Sequence, residues 1–360
     1  MAHVGSTTNS TTNSTTEHKI SVQSLWKVYG SNPEQFFAQN QSPAQDTNAL
    51  VETMRSAEHI PAVANISFDI AEGEKFVIMG LSGSGKSTVI RCITRLVEPT
   101  RGQILMDGED ILTVNQRRLV DLRRHKMGMV FQNFGLLPHL TVLENVAFPL
   151  KIQNISHKSR VDKAKEMIEL VGLGGRENAY PRQLSGGQQQ RVGIARSLAV
   201  EPDIWLLDEP FSALDPLIRR QMQDEFLRLQ AQLQKTIVFI THDFMEAIRL
   251  ADRICILHAG QIAQIGTPEE IILNPADDYV AEFTSEVPVS HVLKVEAVMS
   301  PLTATPGDSM PTIAQDKTVE EAVQLFEDGT QQLFVSDGAK IVGQLTPYDL
   351  VLAMSKRSQG

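Results

Sequence analysis

Short apolar runs recur along the chain, and most are apolar at nearly every position. Lys75–Met79 (KFVIM), Met127–Phe131, Ile204–Leu207, Thr236–Thr241 (TIVFIT) and Arg253–Leu257 (RICIL) are of this kind. Continuous apolar runs of strand length predict strands buried on both faces, as in a parallel sheet. Ile20–Tyr29 and Val63–Ile70 predict two further strands, with Ala71–Glu74 as a turn. Helical spacing of apolar residues over Ser159–Val171 predicts a surface helix. Strands alternating with helices indicate an α/β fold, a parallel sheet covered by helices.

Polar stretches divide this pattern. Residues 6–16 are all Ser, Thr or Asn, and such a stretch buries too little apolar surface to offset its chain entropy. A disordered tail is expected over 1–18. Residues 30–59 are polar, contain Pro33 and Pro43, and read as an insertion between two strands with a short helix near Ala49–Glu58. A composition shift near Ser285–Pro301 marks a linker, 286–298, and a small unit, 299–360. That unit reads as helix (Val319–Phe326), strand (Gln332–Val335), turn (Asp337-Gly338), strand (Ile341–Leu345) and helix (Tyr348–Met354). The main unit is then 19–285.

Composition narrows the functional classes. The chain has 360 residues, enough for about two domains. Its net charge of −10 lacks the basic field that nucleic-acid binding needs. No apolar run is long enough to span a membrane, and no secretory signal opens the chain. The two cysteines, Cys92 and Cys255, lie far apart outside any Cys/His cluster and read as reduced thiols of a cytosolic protein.

The strongest chemical signal is Gly80-Leu81-Ser82-Gly83-Ser84-Gly85-Lys86-Ser87-Thr88. It follows a predicted strand and opens a predicted helix, the context in which G-x-x-x-x-G-K-[ST] cradles phosphates. Small residues let backbone N–H groups wrap the anion, and the helix N-terminus adds its free donors. Lys86 supplies a point charge to the β- and γ-phosphates, and the Ser87 hydroxyl is a Mg²⁺ ligand. Asp208 and Glu209 leave the end of the strand Ile204–Leu207, where a parallel α/β sheet binds ligands. Asp208 is suited to the Mg²⁺ shell and Glu209 to orienting or deprotonating an attacking water.

Leu184-Ser185-Gly186-Gly187-Gln188 is a second Gly/Ser turn, and it opens a predicted helix, Gln188–Leu198. It resembles the signature motif of ATP-binding cassette (ABC) proteins. The resemblance implies a P-loop nucleotide-binding fold with a helical subdomain, about 134–200, and an antiparallel β part. It also implies a head-to-tail homodimer with ATP and Mg²⁺ held between the phosphate loop of one subunit and the signature of the other. Gln132 resembles the family's Gln loop, a Mg²⁺ and water contact. Asp215, in Ser212-Ala213-Leu214-Asp215, resembles the loop that reaches across the dimer. His242 resembles the switch histidine, and Tyr29 the aromatic that stacks on adenine.

The cassette is more narrowly similar to the ATPase subunits of bacterial importers for glycine betaine, proline and related quaternary amines. Phe211–Arg219, Asn274–Val280, the insertion and the C-terminal unit carry this. The likeness implies separate membrane permease subunits, an indirect substrate-binding protein, a peripheral place on the cytoplasmic face of the inner membrane and no nucleic acid. Phe134–Val142, with exposed-looking Leu136, Leu137, Pro138 and His139, would receive the permease. Importers of choline or of an amino acid such as histidine, and a soluble ABC ATPase outside transport, remain alternatives. The C-terminal unit resembles a single cystathionine-β-synthase-type (CBS) repeat. Its Thr346-Pro347-Tyr348-Asp349 matches that repeat's ribose contact or, equally, a helix N-cap. Residues 291–360 hold five basic and nine acidic groups, which disfavours a cationic membrane sensor.

Overall fold

The computed structural model describes residues 18–38, 46–132, 134–285, 287–302, 311–326, 330–338 and 340–355. The expected tail therefore lies outside the described residues, save His18, which opens the first strand. β1 (His18–Tyr29) and β2 (Ile60–Ala71) pair antiparallel, and the segment between them carries α1 (Gln35–Ala38) and α2 (Thr47–Ser56). β3 (Lys75–Met79) runs into α3 (Lys86–Ile93); β4 (Arg101–Met106) and β5 (Glu109–Asp110) follow. After α4 (Gln116–His125) and β6 (Met127–Val130) come α5 (Val142–Ile152), α6 (His157–Leu170) and α7 (Gly186–Leu198). β7 (Ile204–Asp208), α8 (Pro216–Leu233), β8 (Thr236–Thr241), α9 (Phe244–Leu250), β9 (Arg253–His258) and β10 (Gln261–Gly266) complete the central layer. α10 (Pro268–Leu273) and α11 (Asp278–Phe283) lead out of it.

Six strands form the central sheet in the order β10-β9-β3-β8-β7-β6. All pairings are parallel except that of the edge strand β10. The continuous apolar runs have a plain cause in this sheet. In β7, Ile204 and Leu206 enter one core and Trp205 and Leu207 the other. In β8, Val238 and Ile240 take the first side, Ile237 and Phe239 the second. Alternate side chains point to opposite faces, and here both faces are covered. The first core lies against a four-stranded antiparallel sheet, β2-β1-β4-β5, and α3. The second lies under α5, α6, α7 and α8. The mostly parallel sheet, the helical layer and the antiparallel β part are those that the family resemblance implies.

The insertion is anchored by a small core of its own. Leu50, Val51 and Met54 of α2 pack with Trp26 and Val28 of β1. Asp46 caps α2 through the Asn48 N–H. Cys92 and Cys255 are free thiols, buried, with pKa pushed up to about 12 by loss of solvent.

The C-terminal unit holds α12 (Val295–Val298), β11 (Thr312–Ala314), α13 (Val319–Phe326), β12 (Leu333–Asp337), β13 (Lys340–Leu345) and α14 (Pro347–Ser355). β11 and β12 are parallel, β12 and β13 antiparallel. The stretch read as a linker is packed: Val287 and Val292 belong to the cassette core, Leu293 and Val295 to the C-terminal core. Thr346 and Asp349 bond reciprocally at the start of α14, with Thr346 N–H to Asp349 Oδ2 at 2.8 Å and Asp349 N–H to Thr346 Oγ1 at 3.3 Å. Of the two readings of these residues, the helix cap is the one formed.

Candidate functional site

The phosphate loop leaves the buried end of β3 with glycines where no other residue fits. Gly80, Gly83 and Gly85 have φ of 147°, 83° and 103°. A Cβ on Gly80 would lie 2.2 Å from the Leu257 carbonyl oxygen, and one on Gly85 2.3 Å from that of Ala62. The loop is thus pressed between β9 and β2 and cannot carry side chains there. α3 begins at Gly85 without a side-chain cap, so its first N–H groups keep their donors free for an anion. Ser82 lies on the exposed side of the loop and Thr88 in the first turn of α3. Lys86 is buried, and its Nζ donates to the Gly80 and Leu81 carbonyls at 2.8 and 3.0 Å. Burial lowers its pKa, while the charges of Glu209 and Asp208 oppose that shift.

Parallel pairing brings the rest of the site to this edge. Asp208 ends β7, and its Oδ1 accepts from the Ser87 hydroxyl at 3.1 Å. Burial raises the Asp208 pKa; the Ser87 bond and the charges of Arg91 and Lys86 counter it. Glu209 has φ 45°, a left-handed conformation that costs about 1–3 kcal/mol in a non-glycine residue. The conformation is over-determined. The Glu209 N–H donates to the Ile240 carbonyl at 3.0 Å, and the Ser212 hydroxyl donates to the Glu209 carbonyl at 3.0 Å. This turn aims the Glu209 carboxylate at two partners. Gln132 Nε2 donates to Glu209 Oε2 at 3.2 Å, and His242 Nδ1 lies 3.1 Å from the same oxygen.

Tyr29 ends β1, opposite Ile60, with its ring partly exposed and Lys27 Nζ 4.9 Å from the centroid. Ile60 is two residues from Ala62, which touches the phosphate loop. Tyr29 is thus paired with the strand whose Ala62 backbone abuts the phosphate loop.

A second group of predicted residues gathers elsewhere. Ser185 caps α7, which begins two residues before the predicted helix, and forms a reciprocal box with Gln188. A Cβ on Gly186 would meet Leu214, and one on Gly187 would meet Ile218. Asp215 caps α8, accepting from the Ile218 N–H at 3.1 Å. Signature turn and Asp215 turn are thus packed together. Ser212 ties the Asp215 turn to the Glu209 carbonyl, whereas among the described residues Ser185, Gln188 and Asp215 make no hydrogen bond or ion pair to the phosphate loop, Asp208, Gln132 or His242.

Sequence reasoning missed several supporting residues. Asn145 is fully buried and donates to the Leu137, Leu140 and Thr141 carbonyls, each at 3.0 Å. Arg196 donates to the Phe134 carbonyl at 3.0 Å and to that of Gly135 at 2.6 Å. Together they shape the segment after Gln132, in which Leu136 and Leu137 are half-buried while Gly135, Pro138 and His139 are exposed. A lone Asn inside the apolar helical run VLENVAFPL was the one available signal.

Comparison with known proteins agrees with this geometry. Residues 63–212 match the family model described as ABC transporter. The chain is 52% identical over 342 residues, 94% of this chain and 98% of the relative, to the trimethylamine N-oxide transport system ATP-binding protein of Pelagibacter ubique. It is 44% identical over 345 residues, 94% of this chain and 83% of the relative, to the glycine betaine/proline betaine transport system ATP-binding protein of Salmonella typhimurium. Among solved structures, an ATP-binding cassette captured as a dimer after hydrolysis, with ADP and phosphate bound, covers 69% of this chain and 98% of its own. It superposes with a TM-score of 0.57 at 34% identity. With its phosphate loop, its Asp208–Glu209 strand end and its signature turn in place, the chain belongs to the ABC transporter family of ATP-binding cassettes.

Proposed function

We propose that the chain is the ATP-hydrolysing subunit of an importer for small quaternary and other fully substituted amines, such as betaines and trimethylamine N-oxide. The relatives named for such solutes align over nearly the whole chain, through the insertion and the C-terminal unit. The observation that carries the hydrolytic part is the meeting of Gln132, Glu209 and His242 beside Lys86, Ser87 and Asp208.

The chemistry follows from these groups. ATP enters with its adenine on Tyr29 and its phosphates on the N–H groups of Gly83 to Thr88. Lys86 turns its ammonium from the Gly80 and Leu81 carbonyls to the β- and γ-phosphate oxygens, which restores the charge that burial disfavours. Ser87, Asp208 and Gln132 are oxygen donors suited to Mg²⁺, which needs few protein ligands; no cluster of three or more His, Cys, Asp or Glu competes among the described residues. When bound, Mg²⁺ draws off the charge that develops on the β- and γ-phosphate oxygens. Glu209 orients the attacking water and takes its proton, and His242 holds both that carboxylate and the γ-phosphate. Ser185, Gly186, Gly187, Gln188 and Asp215 serve the nucleotide of a second copy, since among the described residues Ser185, Gln188 and Asp215 make no hydrogen bond to the phosphate loop, Asp208, Gln132 or His242.

Force transfer needs a permease, because no described helix is long and apolar enough to cross a membrane. A groove of about 390 Å³ beside the Gln132 segment is suited to it. Met129, Phe131, Leu137, Phe148 and Ile152 give it an apolar floor, and Arg196 lines its edge. An amphipathic helix from a membrane subunit fits such a groove, and it would hold the chain at the cytoplasmic face. We read 19–285 as the cassette and 299–360 as a CBS-like unit that pairs with its counterpart in the dimer.

The test is co-purification followed by transport. Tagged Glu209→Gln protein captured with Mg-ATP from solubilised membranes should bring down a polytopic membrane protein in stoichiometric amount. Vesicles carrying that complex and its binding protein should hydrolyse ATP faster with betaine or trimethylamine N-oxide than with histidine. Capture of soluble partners alone, or equal stimulation by histidine, would overturn the importer reading or its substrate class respectively.

A further inference from the structure

The phosphate loop is braced by a helix that its motif does not include. Tyr279 is the second residue of α11. Its ring lies flat on the His258 imidazole, centroids 3.8 Å apart and planes 5° apart. His258 ends β9, and two residues later the Gly260 N–H donates to the Ser84 carbonyl at 3.1 Å. The stacked pair therefore rests on the turn that touches the phosphate loop. The Tyr279 hydroxyl oxygen is buried, makes no well-formed hydrogen bond among the described residues, and has the Leu81 backbone amide beside it. Burial holds the phenol above its ordinary pKa, so it stays protonated.

A buried phenol without a full partner is costly, and a phenylalanine would fill the same space without that cost. The other side of the Gly80–Leu81 peptide is already in use: the Gly80 carbonyl accepts from Lys86 Nζ at 2.8 Å, as the Leu81 carbonyl does at 3.0 Å. Moving that peptide moves the ammonium. At its far end the same helix reaches the opposite wall of the site. Phe283 stacks on Tyr279, centroids 5.8 Å apart, and meets Phe244 edge-on, also at 5.8 Å. Phe244 follows His242 and Asp243 directly and opens α9. From α11 the chain passes through Val287 and Val292 of the cassette core into the C-terminal unit.

We propose that Tyr279 is a positioning residue for ATP hydrolysis, its hydroxyl accepting the Leu81 N–H as the phosphate loop closes on nucleotide and so setting where Lys86 delivers its charge. This role rests on nucleotide occupying the phosphate cradle. It places the segment leading to the C-terminal unit in contact with the catalytic loop.

The full chain would be compared with Tyr279→Phe, which keeps the ring and removes the oxygen, and with His258→Ala, which removes the stacking partner. Tyr279→Phe should raise the KM for ATP by about 5- to 10-fold, with kcat within about twofold. Its melting temperature without nucleotide should equal or exceed that of wild type, and the rise produced by Mg-ATP should shrink. His258→Ala should shift KM in the same direction by a smaller factor. A purely structural tyrosine predicts the reverse: a lower melting temperature without nucleotide and an unchanged KM. If the unaltered chain binds ATP and Tyr279→Phe equals it in KM and in ATP-induced stabilisation, the role is wrong while the cradle stands. If the unaltered chain binds no ATP, the cradle and this role fall together.

Discussion

Two glycine-rich turns open two helices in this chain, and they treat their donors in opposite ways. At α3 the glycines occupy left-handed conformations, and no side chain caps the first N–H groups. At α7 the Ser185 hydroxyl accepts from the Gln188 N–H, and the Gln188 side chain accepts from the Ser185 N–H at 3.0 Å. The first turn leaves donors free that an anion can use. The second has already satisfied itself and lies on the Asp215 turn. On the function proposed above, similar letters serve a nucleotide within the subunit in one case and a neighbour's nucleotide in the other. That contrast is the physical case for a dimer.

Removing the catalytic carboxylate should test the contrast most strongly. Glu209→Gln should bind ATP yet hydrolyse it at least about 100-fold slower, and light scattering should show an ATP-bound dimer. Near-normal turnover would remove Glu209 from its role, and a persistent monomer would separate the signature turn from any partner nucleotide. The two turns can then be broken one at a time. Lys86→Ala should lose tight ATP binding in equilibrium titration. Ser185→Ala should retain monomeric ATP binding but lose at least about tenfold in steady-state hydrolysis, together with about 1 kcal/mol of helix-cap stability. Equal loss of binding in both variants would erase the distinction.

Smaller effects sharpen the first turn. Tyr29→Ala should weaken ATP by about 1–2 kcal/mol if its ring stacks on adenine, read by calorimetry. Asp208→Asn should abolish hydrolysis yet raise the nucleotide-free melting temperature by about 1–3 °C at neutral pH. The sign comes from linkage. Burial raises the Asp208 pKa in the fold, so the native state binds more protons than the unfolded chain above the ordinary Asp range. Stability from this group is greatest below that range and declines as pH rises through the raised value. The advantage of the Asn variant should accordingly vanish near pH 3, and an advantage that persisted there would refute the burial account.

Much of the central layer was legible. Lys75–Met79 and Thr236–Thr241 match β3 and β8 at both ends, because strands covered on two faces have no polar positions to blur the run. Ile204–Leu207 falls one residue short of β7, since Asp208 is polar and its burial has a chemical cause. The antiparallel strands were harder. β4 and β10 contain Gly and Gln and are only partly buried, so neither carries the apolar signal of a central strand. In the site, the phosphate loop, Asp208 and Glu209 announced themselves by local context. Asn145, Arg196 and Tyr279 did not, because each acts on backbone far from it or on a peptide in another segment.

The sequence by itself determined the buried strands, the phosphate-loop glycines and the residue types at each strand end. Hydrophobic periodicity and glycine φ requirements act over a few residues and need no partner to be read. Only the tertiary structure decided which of these residues meet. Asp208 stands opposite Ile240 in the β7–β8 register, and that one pairing brings the Glu209 carboxylate within 3.1 Å of His242, a residue 33 positions away in the chain. It also decided that the turns capped by Ser185 and Asp215 pack together through Leu214 and Ile218, and packing is a property of the assembled core.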